Sequence, residues 1–79
     1  MEIKVLGTGC MKCKQLEKDV YYALAELNVT ADVEKVEDIQ KIMSYKVMST
    51  PALIINGKVK VAGKVPKRDE IKKYINEEV

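Results

Sequence analysis

The sequence contains no histidine and no tryptophan, and only two cysteines among its 79 residues. Without histidine the usual general base of cysteine hydrolases is missing, and so are the mixed Cys/His ligand sets of most small zinc domains. Long apolar runs are missing too. No stretch approaches the roughly 20 apolar residues of a membrane span, and the opening Met1-Glu2-Ile3-Lys4 has no apolar run of signal-peptide length. Nor is there a block of like charge: lysine and glutamate alternate along the whole chain, for a net charge of +2. Such a surface gives neither nucleic acid nor an anionic membrane a track to follow. A cytoplasmic protein with no nucleic-acid or membrane partner is expected.

What is present is globular in kind. Charged residues make up 33% and hydrophobic residues 47% of the chain, enough apolar surface to offset the entropy of ordering. This length suits one domain over residues 1–79. Both cysteines fall in a single Cys-x-x-Cys, Cys10 to Cys13, so no disulfide framework of the kind that staples small secreted domains is available.

The patterning predicts seven elements. Glu2 to Leu6 is β-rich and stops at Gly7-Thr8-Gly9, where two glycines permit a sharp change of direction. Leu16, Val20, Ala23, Leu24 and Leu27 then recur at helical spacing, which makes Cys10 the start of a helix. Val29 to Val36 alternates as a half-buried strand. Glu37 and Asp38 open a helical stretch whose face is Ile39, Ile42, Met43 and Val47, ending before Ser49. Ala52-Leu53-Ile54-Ile55 reads as a strand covered on both sides, Asn56-Gly57 as a hairpin turn, and Lys58 to Val61 as a lysine-guarded edge strand closed by Gly63. A weakly capped helix follows Pro66, with Asp69 and Glu70 in its first turn and Ile71, Tyr74 and Ile75 on one face. The order is β-α-β-α-β-β-α.

Position tells more than the Cys-x-x-Cys spacing, which also serves zinc, copper and iron–sulfur sites. At a helix N-terminus the unpaired N–H groups and the macrodipole favour a thiolate, and Lys12 and Lys14 add positive charge. Cys10 is therefore the expected nucleophile, with Lys12 tuning its pKa. Cys13, one turn in and on the side of Leu16 and Val20, is the more buried, resolving thiol. A tetrahedral zinc ion needs four ligands and the chain offers two thiols, so metal binding requires a dimer or outside ligands. The alternatives are a Cu(I)- or zinc-holding thiol module and a dimer bridging an iron–sulfur cluster. A ferredoxin-like copper chaperone has the same first half but continues β-β-α-β, unlike this chain. Met43 and Met48 read as fillers of the core or its rim, and Tyr21, Tyr22 and Tyr45 as packing residues.

Thr50-Pro51 stands directly before the buried strand. An X-Pro bond taken alone is far more often trans than cis. Cys-x-x-Cys opening the first helix, with Thr-Pro before Ala-Leu-Ile-Ile-Asn-Gly, resembles thioredoxins and glutaredoxins, in which that proline is cis and lies against the active disulfide. The likeness is closer still to the small thioredoxin-like redox-active disulfide proteins of archaea and bacteria. It is carried by Gly7-Thr8-Gly9-Cys10-x-x-Cys13, Ser49-Thr50-Pro51-Ala52-Leu53, Asn56-Gly57-Lys58-Val59 and Ala62-Gly63-Lys64-Val65-Pro66.

The resemblance implies an α/β thioredoxin-like fold, with a four-stranded mixed sheet in the order 2-1-3-4, the first and third helices on one face and the second on the other. It implies thiol–disulfide exchange with protein disulfides, with an upstream reductase as second partner; the direction follows a reduction potential that varies widely within the same fold, and a cytoplasmic location favours reduction. No cofactor is implied beyond a redox-active disulfide of Cys10 and Cys13, and a monomer is expected. Thr50, Pro51 and Gly63 are the implied substrate-binding residues, Gly63 admitting a substrate strand beside Cys10; as a bare residue Gly63 is equally a turn glycine. Met11-Lys12 replaces the Gly-Pro of thioredoxins and the Pro-Tyr of glutaredoxins. Gly63 stands alone where glutaredoxins carry Gly-Gly and an acid, which speaks against glutathione as reductant.

Overall fold

In a computed structural model that describes residues 1–7, 11–47 and 49–79, the elements follow the expected order. They are β1 (Glu2–Leu6), α1 (Met11–Leu27), β2 (Asp32–Val36), α2 (Ile39–Ser44), β3 (Ala52–Ile55), β4 (Lys58–Ala62) and α3 (Arg68–Glu77). The four strands form one sheet in the order β2-β1-β3-β4. β1 runs parallel to β2 and antiparallel to β3, and β3 runs antiparallel to β4. This is the thioredoxin-like arrangement that the sequence predicts.

Alternation along β1 and β3 divides the core in two, because successive side chains leave a strand on opposite faces. Ile3, Val5, Leu53 and Ile55 meet Leu16, Val20, Ala23 and Leu24 of α1 and Ile71 and Ile75 of α3. Leu6, Ala52 and Ile54 meet Ile42 and Val47 on the other side, with Tyr45 packed against them. All four residues of β3 are buried, as the uninterrupted apolar run requires of a central strand. Asn56 and Gly57 both have positive φ, 52° and 81°, the geometry of a type I′ hairpin turn. The Asn56 N–H donates to the Glu2 carbonyl and the Asn56 side-chain Oδ1 accepts from the Glu2 N–H, which anchors that turn to the start of β1.

Three expectations need correction. The face assigned to α2 is half right: Ile42 and Val47 are buried, whereas Ile39 and Met43 are 62% and 67% exposed, so Met43 fills neither core nor rim. The helix is six residues long and presents one side chain inward; Lys46, at a φ of 62°, then turns the chain so that Val47 reaches the core from outside the helix. β2 begins at Asp32, Val29 and Ala31 packing against the core before the ladder starts. In β4 the lysines do not alternate outward. The register slips between Leu53↔Val61 and Ile54↔Val59, leaving Lys60 as the extra residue of a bulge. Its side chain is only 14% exposed and reaches Glu78, 2.9 Å away, while Val59 is left half exposed.

The helix ends match their sequence signals. Asp38 caps α2, its carboxylate accepting from the Gln40 N–H at 2.9 Å. Lys67 precedes α3 without a side-chain cap, as expected, and Asp69 and Glu70 lie in its first turn. Asn28, with positive φ, follows the last residue of α1.

Candidate functional site

The ladder registers gather the site at one end of the sheet. Leu6 pairs with Val36, Leu6 with Ala52, and Ala52 with Ala62. The chain leaving β1 at Gly7, the chain entering β3 at Pro51 and the chain leaving β4 at Gly63 therefore share that end. Two backbone bonds fix them: the Gly7 N–H donates to the Val36 carbonyl and the Gly63 N–H to the Pro51 carbonyl, each at 2.9 Å. The Thr50–Pro51 peptide is cis, the isomer that the resemblance implies, with Pro51 buried and Thr50 exposed.

Cys13 lies in the first turn of α1 and is 1% exposed. It shares the buried side of the helix with Leu16 and Val20, as the spacing predicts. Its sulfur sits against the backbone of Gly7, where a side chain would overlap both Cys13 Sγ and Cβ. Gly7 does not occupy the left-handed region, so its glycine identity answers to space and not to a turn. The glycine-rich stretch drew attention to a change of direction; this packing role has no local signal. Cys10, Thr8, Gly9 and Met48 lie outside the described residues, and with them the expected nucleophile and helix start at Cys10.

A charged group of β2 was not legible either. Lys35 on β2 has its pKa raised above the ordinary lysine range, chiefly by its hydrogen bond to the Glu37 carboxylate, 3.1 Å away. Burial opposes this, and Glu37, Glu17 and then Cys13 add attraction through their charges. Lys35 is thus held as a cation chiefly by Glu37, with the attraction of a Cys13 charge the smallest of these effects. No periodicity links a β2 residue to a helix turn more than twenty positions earlier.

Lys12 is exposed and lines an open groove of about 540 Å³ together with Met11, Gln15, Gly63, Lys64 and Val65. The groove runs between the first turns of α1 and the loop after β4. Gly63 has a φ of 82°, and an added Cβ would come within 2.9 Å of Ser49 Cβ. Gly63 thus turns the chain and lines the groove. Among the described residues no group of three or more Cys, Asp or Glu side chains is arranged to hold a metal ion. Among the described residues no helix is long and apolar enough to cross a membrane.

Comparison with known proteins agrees with this architecture. Residues 1–76 match the family described as the thioredoxin domain. The chain belongs to that thioredoxin-domain family. A protein named "Thioredoxin" from Methanothermobacter thermautotrophicus is 36% identical over 76 residues, covering 96% of this chain and 99% of its own length. A "Thioredoxin" from Methanocaldococcus jannaschii is 37% identical over 73 residues, covering 92% of this chain and 84% of its own. A "Probable Thioredoxin" from Methanothermobacter thermautotrophicus is 36% identical over 73 residues, 89% of this chain and 85% of its own. Membership of the thioredoxin-domain family supports thiol–disulfide oxidoreductase chemistry in general, with protein disulfides and a reductase as the partners of the family at large.

Proposed function

We propose that the chain acts as one domain over residues 1–79 and carries out dithiol–disulfide exchange through Cys10 and Cys13. The burial of Cys13 in the first turn of α1, a turn whose exposed residues Met11 and Lys12 line an open groove, is the observation that carries this reading. The residue before the first helical position of any helix has the unpaired N–H groups of that turn within reach, and in sequence Cys10 precedes Met11. The Cys10 thiolate attacks one sulfur of a partner disulfide, forming a mixed disulfide and releasing the partner's other sulfur as a thiolate, which takes up a proton. Cys13 then gives up its proton and attacks Cys10 Sγ. The second partner sulfur leaves as a thiol, two electrons have passed to the partner, and the Cys10–Cys13 disulfide is closed. No cofactor takes part.

Lys12 stabilises the Cys10 thiolate in this scheme. Thr50, Pro51 and Gly63 receive the partner's backbone, the role the family resemblance gives them. The partners are protein disulfides and an upstream reductase that restores the dithiol; the protein works as a monomer in the cytoplasm. Single-turnover mixing of the prereduced protein with a disulfide-containing protein tests the scheme. The partner should be reduced stoichiometrically, and Cys13→Ser should accumulate a mixed disulfide through Cys10, identified by mass spectrometry. Exchange that survives Cys10→Ser, or one tightly bound metal per chain after anaerobic purification, would overturn it.

A further inference from the structure

We propose that the groove beside the first turn of α1 selects partner segments that carry carboxylates next to their disulfide. This deepens the exchange reading and rests on it. Six residues line the groove: Lys12 stands on the helix bank, Lys64 on the loop bank, and none of the six is acidic. The ion pairs of the described residues engage Lys4, Lys35, Lys58, Lys60, Arg68 and Lys72. Lys12 and Lys64 have no carboxylate within reach among the described residues. Other lysines are likewise outside these ion pairs; what sets Lys12 and Lys64 apart is that they line one groove from its two sides with no acidic residue in the lining.

Two ammonium groups facing one open space repel each other, and a carboxylate brought between them is attracted by both. The remaining lining suits a polypeptide. Met11, 87% exposed, offers an unbranched and adaptable apolar surface, Val65 adds a second apolar contact, and Gln15 can donate or accept. The fitting occupant is an extended segment of a partner protein with Asp or Glu within a few residues of its cysteine. Charge of this kind acts mainly on the rate of encounter and is weakened by salt.

The test uses the prereduced wild-type protein in single turnover against three disulfides: a small uncharged one, and two peptides identical except that acidic residues flank the cysteine in one and lysines in the other. At low ionic strength the acidic peptide should react about tenfold faster than the basic one, and the ratio should shrink towards one at high salt. Lys64→Glu should lower or invert the ratio. Lys64 is the choice because Lys12 adjoins Cys10, where a substitution would mix recognition with thiolate chemistry. If the uncharged disulfide is reduced but the peptides react equally, or the ratio is indifferent to salt and to Lys64→Glu, the selection is overturned and exchange stands. If none of the three disulfides is reduced, the exchange reading falls and the selection with it.

Discussion

The sulfur of Cys13 occupies the space that a side chain on Gly7 would need: a Cβ built on Gly7 falls 2.9 Å from Cys13 Cβ and closer still to Sγ. Gly7 is itself held by its N–H bond to the Val36 carbonyl. Neither partner can step aside freely, since Cys13 sits in a regular helix turn and Gly7 in the backbone bond that continues the parallel ladder. A buried thiol is thus fixed against the end of the sheet by the lack of one methyl group.

Gly7→Ala should therefore destabilise the fold by about 1–3 kcal/mol, the usual cost of forcing an extra methyl into a close-packed site. It should also loosen the packing of Cys13. Alkylation of the native reduced protein, followed by peptide mass spectrometry, should find Cys13 modified faster in Gly7→Ala than in the parent. Unchanged urea midpoint and unchanged labelling together would mean that the chain accommodates a side chain there.

The two thiols should differ in reactivity. Cys13 is buried, whereas Cys10 precedes a helix start at which lysines are exposed and acids are missing. Limiting alkylation of the reduced protein at about pH 7 should label Cys10 well ahead of Cys13, because the thiolate fraction and its access both set the rate. Labelling in the opposite order would reverse the assigned roles.

How far the sequence was legible depends on whether a signal is local. The run 52–55, the Asn56-Gly57 turn and the Ile71 and Ile75 face of α3 are local patterns, and each is found where it was expected. Cys13 was legible as buried because its spacing from Leu16 and Val20 repeats the helix period. Gly7 against Cys13 joins different elements, and nothing within either segment announces it. Ile39 and Met43 misled for a related reason. Their spacing is that of a buried face, but a helix as short as α2 meets the sheet through Ile42 alone. Lys60 misled because alternation assumes a regular ladder, and the bulge that breaks it is a property of the β3–β4 pair.

The packing of α1 on α3 includes a polar tie at a buried carboxylate, besides the Lys72–Glu26 ion pair. Asp19, 6% exposed, accepts hydrogen bonds from Gln15 at 2.9 Å and from Arg68 at 3.3 Å, while the Arg68 guanidinium lies over the Tyr22 ring, 4.3 Å from its centroid. Arg68 is half exposed, which keeps its ion pair weak; the stacking and the loss of a partner for a buried carboxylate add to it. Arg68→Ala should lower stability by about 1 kcal/mol, and Arg68→Lys, which keeps the charge but not the planar stack, should recover only part of that. Equal denaturant midpoints for Arg68→Lys and the parent would remove the stacking contribution.

The last prediction concerns the bulged residue of the edge strand. Lys60 meets Glu78 at 2.9 Å and Glu77 at 3.6 Å, and Lys58 also reaches Glu78, at 3.3 Å. Hydrogen bonding to Lys60, and then to Lys58, holds the Glu78 pKa below the ordinary carboxylate range, against the opposing effect of burial. Hydrogen bonding to Glu78 in turn raises Lys60 above the ordinary lysine range. A carboxyl with a depressed folded-state pKa contributes stability above its unfolded pKa and loses it as the pH falls through the folded value. For the raised lysine the contribution is complete below the unfolded pKa and disappears as the pH rises through the folded one. The cluster therefore stabilises the β4–α3 junction across the neutral range and fails at both extremes. Glu78→Gln should be less stable than the parent at neutral pH, and the difference should vanish at an acid pH below the depressed folded-state pKa, where the parent's carboxyl is protonated. Urea midpoints measured at both pH values would check this. A difference that persists undiminished in acid would show that Glu78 acts through packing of its side chain and not through its charge.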